Sequence, residues 1–81
     1  MTYAIRWVDY ARDQREALPA GARGELDAAL RMLAADPRAP GTYSEREEQW
    51  TTPFGGGWGV VLYSIEERWL MVTILRVTWA G

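Results

Sequence analysis

The 81-residue sequence contains no cysteine, no histidine and no lysine. Without cysteine or histidine it can form no disulfide, no thiolate or imidazole metal site, and no catalytic arrangement that requires either residue. Because lysine is also missing, all nine basic residues are arginines. Any catalysis would have to use carboxylates, arginines or hydroxyl groups. We expect no cofactor and no bound metal.

Positive charge and long apolar runs are also scarce. Eleven acidic residues against nine arginines give a formal charge of -2. Since affinity for phosphate backbones comes from surplus positive charge, we expect no direct sequence-specific binding of nucleic acid. The longest apolar run, residues 69–75, is far below the ~20 residues of a membrane span, and the N-terminus lacks the apolar segment of a signal peptide. The sequence therefore predicts a cytoplasmic protein with no membrane partner.

The length and the order of elements predict one α+β domain over residues 1–81. Alternation over residues 3–7 indicates a first strand, and Asp9 could cap the helix that follows. The predicted apolar face of that helix consists of Tyr10, Ala11, Gln14, Ala17 and Leu18. After a break at Pro19, an apolar stripe over residues 22–35 predicts a second helix. We expect the two helices to form a hairpin on one face of a sheet.

The second half of the sequence predicts a three-stranded antiparallel meander. Residues 50–54 form a short strand that Pro53 confines to an edge or a bulge, because proline has no amide to donate. Gly55, Gly56 and Gly57 form a turn, since a strand rather than a helix follows them. Strands are predicted over residues 58–65 and 69–79. The last strand is apolar on both faces, with Ile74 on one face and Val77 on the other, and should therefore be internal. The fold is thus β-α-α-β-β-β, with the helix hairpin on one face of an antiparallel sheet.

Two groups of residues are candidates for contacts with a protein partner. Trp50 and Trp58 lie on either side of the glycine turn and could anchor an extended segment added to the sheet edge. The acidic residues Glu45, Glu47 and Glu48 would favour a partner carrying Lys or Arg. The alternative is that both tryptophans pack inward and that the acidic residues form an ordinary solvated surface.

The arginines are the remaining candidates for chemistry, because guanidinium groups bind phosphate and stabilise phosphoryl transition states. Arg46 and Arg76 are weak catalytic candidates. Arg76 interrupts an apolar strand, so it must reach solvent, line a groove or pair with a carboxylate. An ion pair is the simpler interpretation.

With these elements placed, the sequence resembles the RelE/ParE superfamily of small toxins from type II toxin-antitoxin modules. The resemblance covers nearly the whole chain. It is carried by the first strand Tyr3-Ala4-Ile5-Arg6-Trp7, by Leu18-Pro19, by the end of the second helix at Asp36-Pro37-Arg38, and by the strands Trp58-Gly59-Val60-Val61-Leu62-Tyr63-Ser64-Ile65 and Thr73-Ile74-Leu75-Arg76-Val77.

The resemblance implies two different activities. Ribonuclease members of the family cleave messenger RNA on the ribosome with basic residues on the sheet and a terminal tyrosine or other acid-base group. At the corresponding positions this sequence has Thr51, Pro53, Val60 and Ala80. The ParE branch, described as acting on DNA gyrase through protein binding, is the better analogy.

We therefore predict a toxin-like protein that acts through protein contacts or lacks nuclease activity, with a cognate antitoxin segment covering an apolar groove. Its target would be a protein such as DNA gyrase. The first alternative is a ribosome-dependent endoribonuclease. The second is a regulatory or structural interaction module that has kept only the fold.

Overall fold

Two helices cover one face of a five-stranded sheet in the computed structural model, which describes residues 2–81. The strands follow the order β1-β5-β4-β3-β2 across the sheet. The elements are β1 (Ala4–Trp7), α1 (Asp9–Glu16), α2 (Ala20–Ala35), β2 (Thr42–Ser44), β3 (Gln49–Phe54), β4 (Gly59–Glu66) and β5 (Met71–Trp79). Short 3-10 turns at Gly55–Gly57 and Glu67–Trp69 join the last three strands. The predicted α+β fold is confirmed.

Strand β5 is internal, as predicted, but the sheet is mixed rather than wholly antiparallel. Strands β3, β4 and β5 form the predicted antiparallel meander. Strand β1 pairs with β5 in the parallel direction, from Ala4 opposite Met71 to Trp7 opposite Ile74. The two-residue period of side chains is the same in both kinds of pairing, so the sequence pattern does not distinguish them.

A fifth strand makes the predicted edge position of Trp50 wrong. Strand β2 pairs antiparallel with β3 and places Tyr43 opposite Trp50. Between β2 and β3, residues 45–48 form a four-residue turn in which Glu48 has a positive φ of 56°. Pro53 lies beyond the last residue paired with β2, where its missing amide costs the sheet nothing.

The helices bury a single apolar cluster against the sheet. The buried hydrophobic residues are Ala11, Leu18, Ala22, Leu26, Leu30, Leu33, Phe54, Val61, Tyr63, Val72, Ile74 and Val77. The predicted stripe of α2 is thus confirmed. In α1, however, only Ala11 is buried and Tyr10 is exposed, so the predicted apolar face was too wide.

Helix α1 also begins differently from the prediction. Val8 precedes the helix and Asp9 is its first residue, with no side-chain cap hydrogen bond. The Asp9 carboxylate lies in the first turn, where the helix dipole stabilises negative charge. Asp9 therefore contributes by charge rather than as a cap.

A bulge in β5 changes the face to which its last residues belong. Tyr63 of β4 is opposite Ile74, but Leu62 is opposite Arg76, so Leu75 is an extra residue. The bulge lets Ile74 and Val77 both point toward the helices, while Arg76 stays on the face without helices. The prediction that Val77 and Ile74 lie on different faces of the sheet was wrong, because the alternation of side chains between the two faces is interrupted at a bulge.

Helix α1 closes this bulge through a side chain. The Val77 amide donates a hydrogen bond to Oε1 of Gln14 at 2.7 Å. Extra residues in a bulge disrupt the local ladder, and a buried amide without a partner is costly. Gln14, predicted only as part of an apolar face, supplies the acceptor that the bulge needs.

Replacing Gln14 should therefore destabilise the fold more than its position on a short helix would suggest. We expect Gln14→Leu to lower the free energy of unfolding by about 1–3 kcal/mol, because the Val77 amide loses its acceptor. Urea unfolding measures this loss, and amide exchange at Val77 should become faster. Gln14→Glu keeps an acceptor oxygen and should lose less. Unchanged unfolding of Gln14→Leu would contradict this role.

Candidate functional site

The sheet face without helices, here called the open face, carries the positions that the family resemblance singled out. Two cross-strand rows define its centre: Thr51, Leu62 and Arg76 in one, and Pro53, Val60 and Thr78 in the next. Arg76 is exposed and makes no ion pair within residues 2–81. The structure thus places Thr51 in the same row as Arg76 and Pro53 and Val60 in the next row, and all three are uncharged.

Arg46, the other weak catalytic candidate, lies in the β2–β3 turn together with the acidic residues. Arg46, Glu45, Glu47 and Glu48 are all exposed. The turn is held by its own backbone, since the Glu48 amide donates to the Ser44 carbonyl at 2.7 Å. Its four charged side chains project from the end of a hairpin rather than from the open face.

Trp50 belongs to an aromatic stack rather than to a free surface. Its ring centroid lies 5.1 Å from that of Tyr43 and 6.5 Å from that of Tyr63, and the Arg38 guanidinium sits 5.9 Å above it. Tyr63 is fully buried and donates its hydroxyl to the Pro37 carbonyl, and burial raises the pKa of Tyr63 to about 12. Trp50, one member of the predicted pair of tryptophans, therefore packs inward.

Trp58 is the exposed member of the predicted pair, with 62% of its surface accessible. It follows the glycine turn, in which Gly55, Gly56 and Gly57 all have positive φ. Trp50 and Phe54 are separated by about 13 Å of strand at ~3.3 Å per residue. Because Trp58 lies beyond Phe54, the two tryptophans do not form one patch.

Glu67 is the centre of a charged cluster, with Tyr3 and Arg38, that ties together three distant parts of the chain. The Tyr3 hydroxyl donates to Oε1 of Glu67 at 2.7 Å, and Arg38 forms an ion pair with the same oxygen. These two contacts hold the pKa of Glu67 below its ordinary value, and the hydrogen bond to Glu67 raises the pKa of Tyr3. The cluster fixes the β4–β5 turn against β1 and the α2–β2 connection.

A groove between the helices and β1, here called the helix–β1 groove, is a feature that the sequence analysis missed. It encloses about 530 Å³ and combines an apolar floor with a charged rim. Its lining consists of Ile5, Trp7, Leu30 and Ala34 with Arg12, Arg15, Arg31, Glu16 and Asp27. The residues come from three elements, so no local pattern reveals them.

The rim of the helix–β1 groove is organised by one bidentate ion pair. Arg15 donates to both carboxylate oxygens of Asp27, at 3.0 and 2.7 Å. This contact lowers the pKa of Asp27 and raises that of Arg15. Arg31 makes no ion pair within residues 2–81, so the rim retains a free positive charge.

Comparison by sequence identifies no relative, because neither a protein-family model nor a curated protein sequence matches the chain. Comparison with solved structures, in contrast, identifies similar proteins. The toxin-antitoxin complex RelBE2 from Mycobacterium tuberculosis contains a chain that superposes with a TM-score of 0.86 at 26% identity, covering 98% of this chain and 99% of that one. The chain has the RelE/ParE fold.

Two further solved structures share that fold at lower identity. The isolated RelE toxin of E. coli has a TM-score of 0.84 at 15% identity, over 98% of this chain and 85% of that one. The archaeal RelE-RelB complex from Pyrococcus horikoshii has a TM-score of 0.77 at 16% identity, over 100% of this chain and 98% of that one. The RelE/ParE resemblance inferred from the sequence is confirmed.

The part of the chain from residue 2 onward contains neither a metal-binding cluster nor a membrane-spanning helix. No three acidic side chains there come together in a way that could hold a metal ion. No helix there is long and apolar enough to cross a membrane. The open face, the helix–β1 groove and the exposed tryptophans are therefore the surfaces that we consider for function.

The Glu67 cluster should make stability depend on pH in the acidic range. Because folding lowers the pKa of Glu67, its contribution is fully present above the ordinary glutamate value and is lost as the pH falls through the lowered one. We expect the urea concentration at the midpoint of unfolding to be higher for wild type than for Glu67→Gln at pH 7. The difference between the two midpoints should shrink toward pH 3. Glu45→Gln, in the exposed turn, is the control and should show no such difference. A gap between wild type and Glu67→Gln that stays constant over this range would contradict the assignment.

Proposed function

We propose that this chain is the toxin of a type II toxin-antitoxin module and that a cognate antitoxin binds it. The support comes from the solved structures that share its fold. Three of them are complexes described by their RelE and RelB or RelBE components, from M. tuberculosis, E. coli and P. horikoshii. Each covers at least 98% of this chain, so the whole fold rather than one motif supports the proposal.

The toxin acts through protein contacts rather than by cleaving RNA. The observation that carries this proposal is the neutral surroundings of Arg76, where Thr51, Pro53 and Val60 occupy the open face. Cleavage of a phosphodiester requires several charged or acid-base groups around the reacting phosphate, because charge develops there in the transition state. In its own row and in the next one, Arg76 has only hydroxyl and apolar side chains, which do not supply such groups. The target would then be a protein such as DNA gyrase.

Ala80, which follows β5, supports the same proposal. Ala80 stands where the resemblance implies the terminal tyrosine of ribonuclease members, and its amide donates to the Trp58 carbonyl at 2.9 Å. The backbone there is bound to the glycine turn. Ala80 therefore presents neither charge nor an acid-base group to the open face.

Ribosome-dependent cleavage of messenger RNA remains the second candidate because Arg76 and Arg6 both point to the open face. Arg6 pairs across β1 and β5 with Thr73, three residues before Arg76. Two cations on one face could bind a phosphate backbone even when the chain carries a net negative charge.

We infer that an antitoxin segment covers the helix–β1 groove. Ile5, Trp7 and Leu30 offer an apolar floor, and the unpaired Arg31 favours an acidic residue in the segment. Strand β1 is an edge of the sheet, so an extended segment could add to its free side. Trp58 and the acidic β2–β3 turn, at opposite ends of β3, remain proposed as two further regions of contact.

A translation extract distinguishes the two candidate activities. We expect purified chain added to an actively translating extract to produce no specific new 5′ ends in messenger RNA, since the open face lacks the groups that cleavage needs. Mapping of RNA ends measures this, with a ribosome-dependent nuclease as positive control. Supercoiling by purified DNA gyrase is assayed in parallel and should be inhibited. New 5′ ends that disappear with Arg76→Ala or Arg46→Ala would establish the nuclease instead.

Titration with the antitoxin encoded beside this chain tests the proposed contact at Trp58. We expect Trp58→Ala to weaken binding at least 10-fold, about 1.4 kcal/mol, with little change in unfolding temperature, as for an exposed interface hot spot. Trp50→Ala should instead lower stability, because it removes the centre of the aromatic stack. Tyr10→Ala, an exposed aromatic on α1, is the matched control. Equal affinity of Trp58→Ala and wild type would remove Trp58 from the interface.

A further inference from the structure

The turn between β4 and β5 carries the most exposed tryptophan of the chain. Trp69 has 67% of its surface accessible, and the Arg68 guanidinium lies 5.7 Å above its ring. Trp69 borders a groove of about 360 Å³ together with Arg6, Glu66 and Met71. The sequence analysis placed Trp69 in the last strand, but that strand begins at Met71. These five residues are here called the hairpin-tip surface.

The turn holds Trp69 outward by an unfavourable backbone conformation. Leu70 is left-handed, with φ 48° and ψ 52°, a region that glycine or asparagine enters far more readily. Its amide donates to the Glu67 carbonyl at 3.1 Å, and its side chain is half-buried. Strain of this kind tends to occur where a surface has a function. The Glu67 cluster fixes the other side of the same turn.

The charges of the hairpin-tip surface are not balanced. Arg6 and Arg68 make no ion pair within residues 2–81. Glu66 accepts a long hydrogen bond from Thr73 at 3.5 Å and is the one carboxylate lining the groove. Glu67 is already engaged by Tyr3 and Arg38. The surface therefore has an excess of positive charge beside an apolar ring.

Tryptophan, methionine and arginine are the residue types enriched at protein interfaces and at their hot spots. We propose that the hairpin-tip surface docks an acidic protein segment that presents an apolar or aromatic residue beside Asp or Glu. The apolar residue packs on Trp69 and Met71, and the carboxylates pair with Arg6 and Arg68. This surface is separate from the helix–β1 groove and from Trp58, and its function does not depend on the antitoxin proposal.

A nucleic-acid strand is the less favourable occupant, although a base could stack on Trp69. A phosphate backbone would pass the Glu66 carboxylate in the groove and approach a chain of net charge -2. An acidic peptide can place its few carboxylates opposite the two arginines and its uncharged residues beside Glu66. The spacing of charge thus favours a protein segment.

Selection of a random heptapeptide library on the immobilised full chain tests this proposal. We expect enriched peptides with Asp or Glu next to Trp, Phe or Leu, and isothermal titration of the synthetic peptides gives their affinity. Trp69→Ala should weaken binding at least 10-fold, and Arg68→Glu and Arg6→Glu should do the same. Replacing the acidic residues of the peptide by Lys should abolish binding.

Matched variants separate this surface from the others. Trp58→Ala removes an equally exposed tryptophan elsewhere and should change the affinity less than 2-fold, as should Arg31→Glu in the helix–β1 groove. Unfolding temperatures identify any variant that fails to fold. In that case the peptide affinity of Arg68→Glu, whose side chain lies on an exposed turn, decides whether the proposal holds. A selection without any Trp69-dependent peptide overturns the proposal. So does a uridine 12-mer RNA that binds through Trp69 more tightly than every selected peptide.

Discussion

The hydrogen bond from the Val77 amide to Gln14 is the contact on which the arrangement of β5 depends. Strand β5 is the only strand with β4 on one side and β1 on the other, and its register changes at Leu75. Without an acceptor from α1, the amide next to this bulge would be buried and unpaired. With Gln14 as the acceptor, Ile74 and Val77 both lie in the core and Arg76 lies on the open face. One side chain on a short helix thus supports both the core and the candidate site.

The central position of β5 also explains why functional residues from distant parts of the sequence meet. Strand β1 lies beside the first half of β5, which brings Arg6 next to Met71 and Trp69. Strand β4 lies on its other side and aligns Val60 and Leu62 with Thr78 and Arg76. The Glu67 cluster then fixes the turn between these strands to the N-terminal residues. The open face and the hairpin-tip surface are both organised around this strand.

The two faces of the sheet are under different physical constraints. The face under the helices must be apolar and closely packed, because Val61, Tyr63, Val72 and Ile74 are inaccessible to solvent. The open face must only remain compatible with a strand, so Thr51, Pro53 and Val60 can replace charged residues without disturbing the core. The fold is accordingly shared with solved structures at 15–26% identity, and a shared fold does not fix the chemistry of its surface.

The elements with a local sequence pattern could be predicted without knowledge of the fold. The stripe of α2, with Leu26, Leu30 and Leu33, the break at Pro19 and the glycine turn follow from helical spacing and backbone geometry, and the structure contains them all. Runs of β-branched and aromatic residues also sufficed to predict the meander, and apolar residues on both faces of the last strand predicted that it is internal. These features were enough to identify the RelE/ParE resemblance.

Strand pairing and the exposure of individual side chains, in contrast, depend on contacts that form only in the folded chain. The parallel β1–β5 pairing, the extra strand β2 and the bulge at Leu75 depend on contacts between residues distant in sequence, and a two-residue period is the same for every partner. The five tryptophans show the consequence. Trp50 is partly buried because Tyr43 and Arg38 pack against its ring. Trp69 lies in the exposed turn before Leu70 and remains accessible to solvent. No local pattern separates two residues of the same type, because burial is a property of what the rest of the chain brings against them.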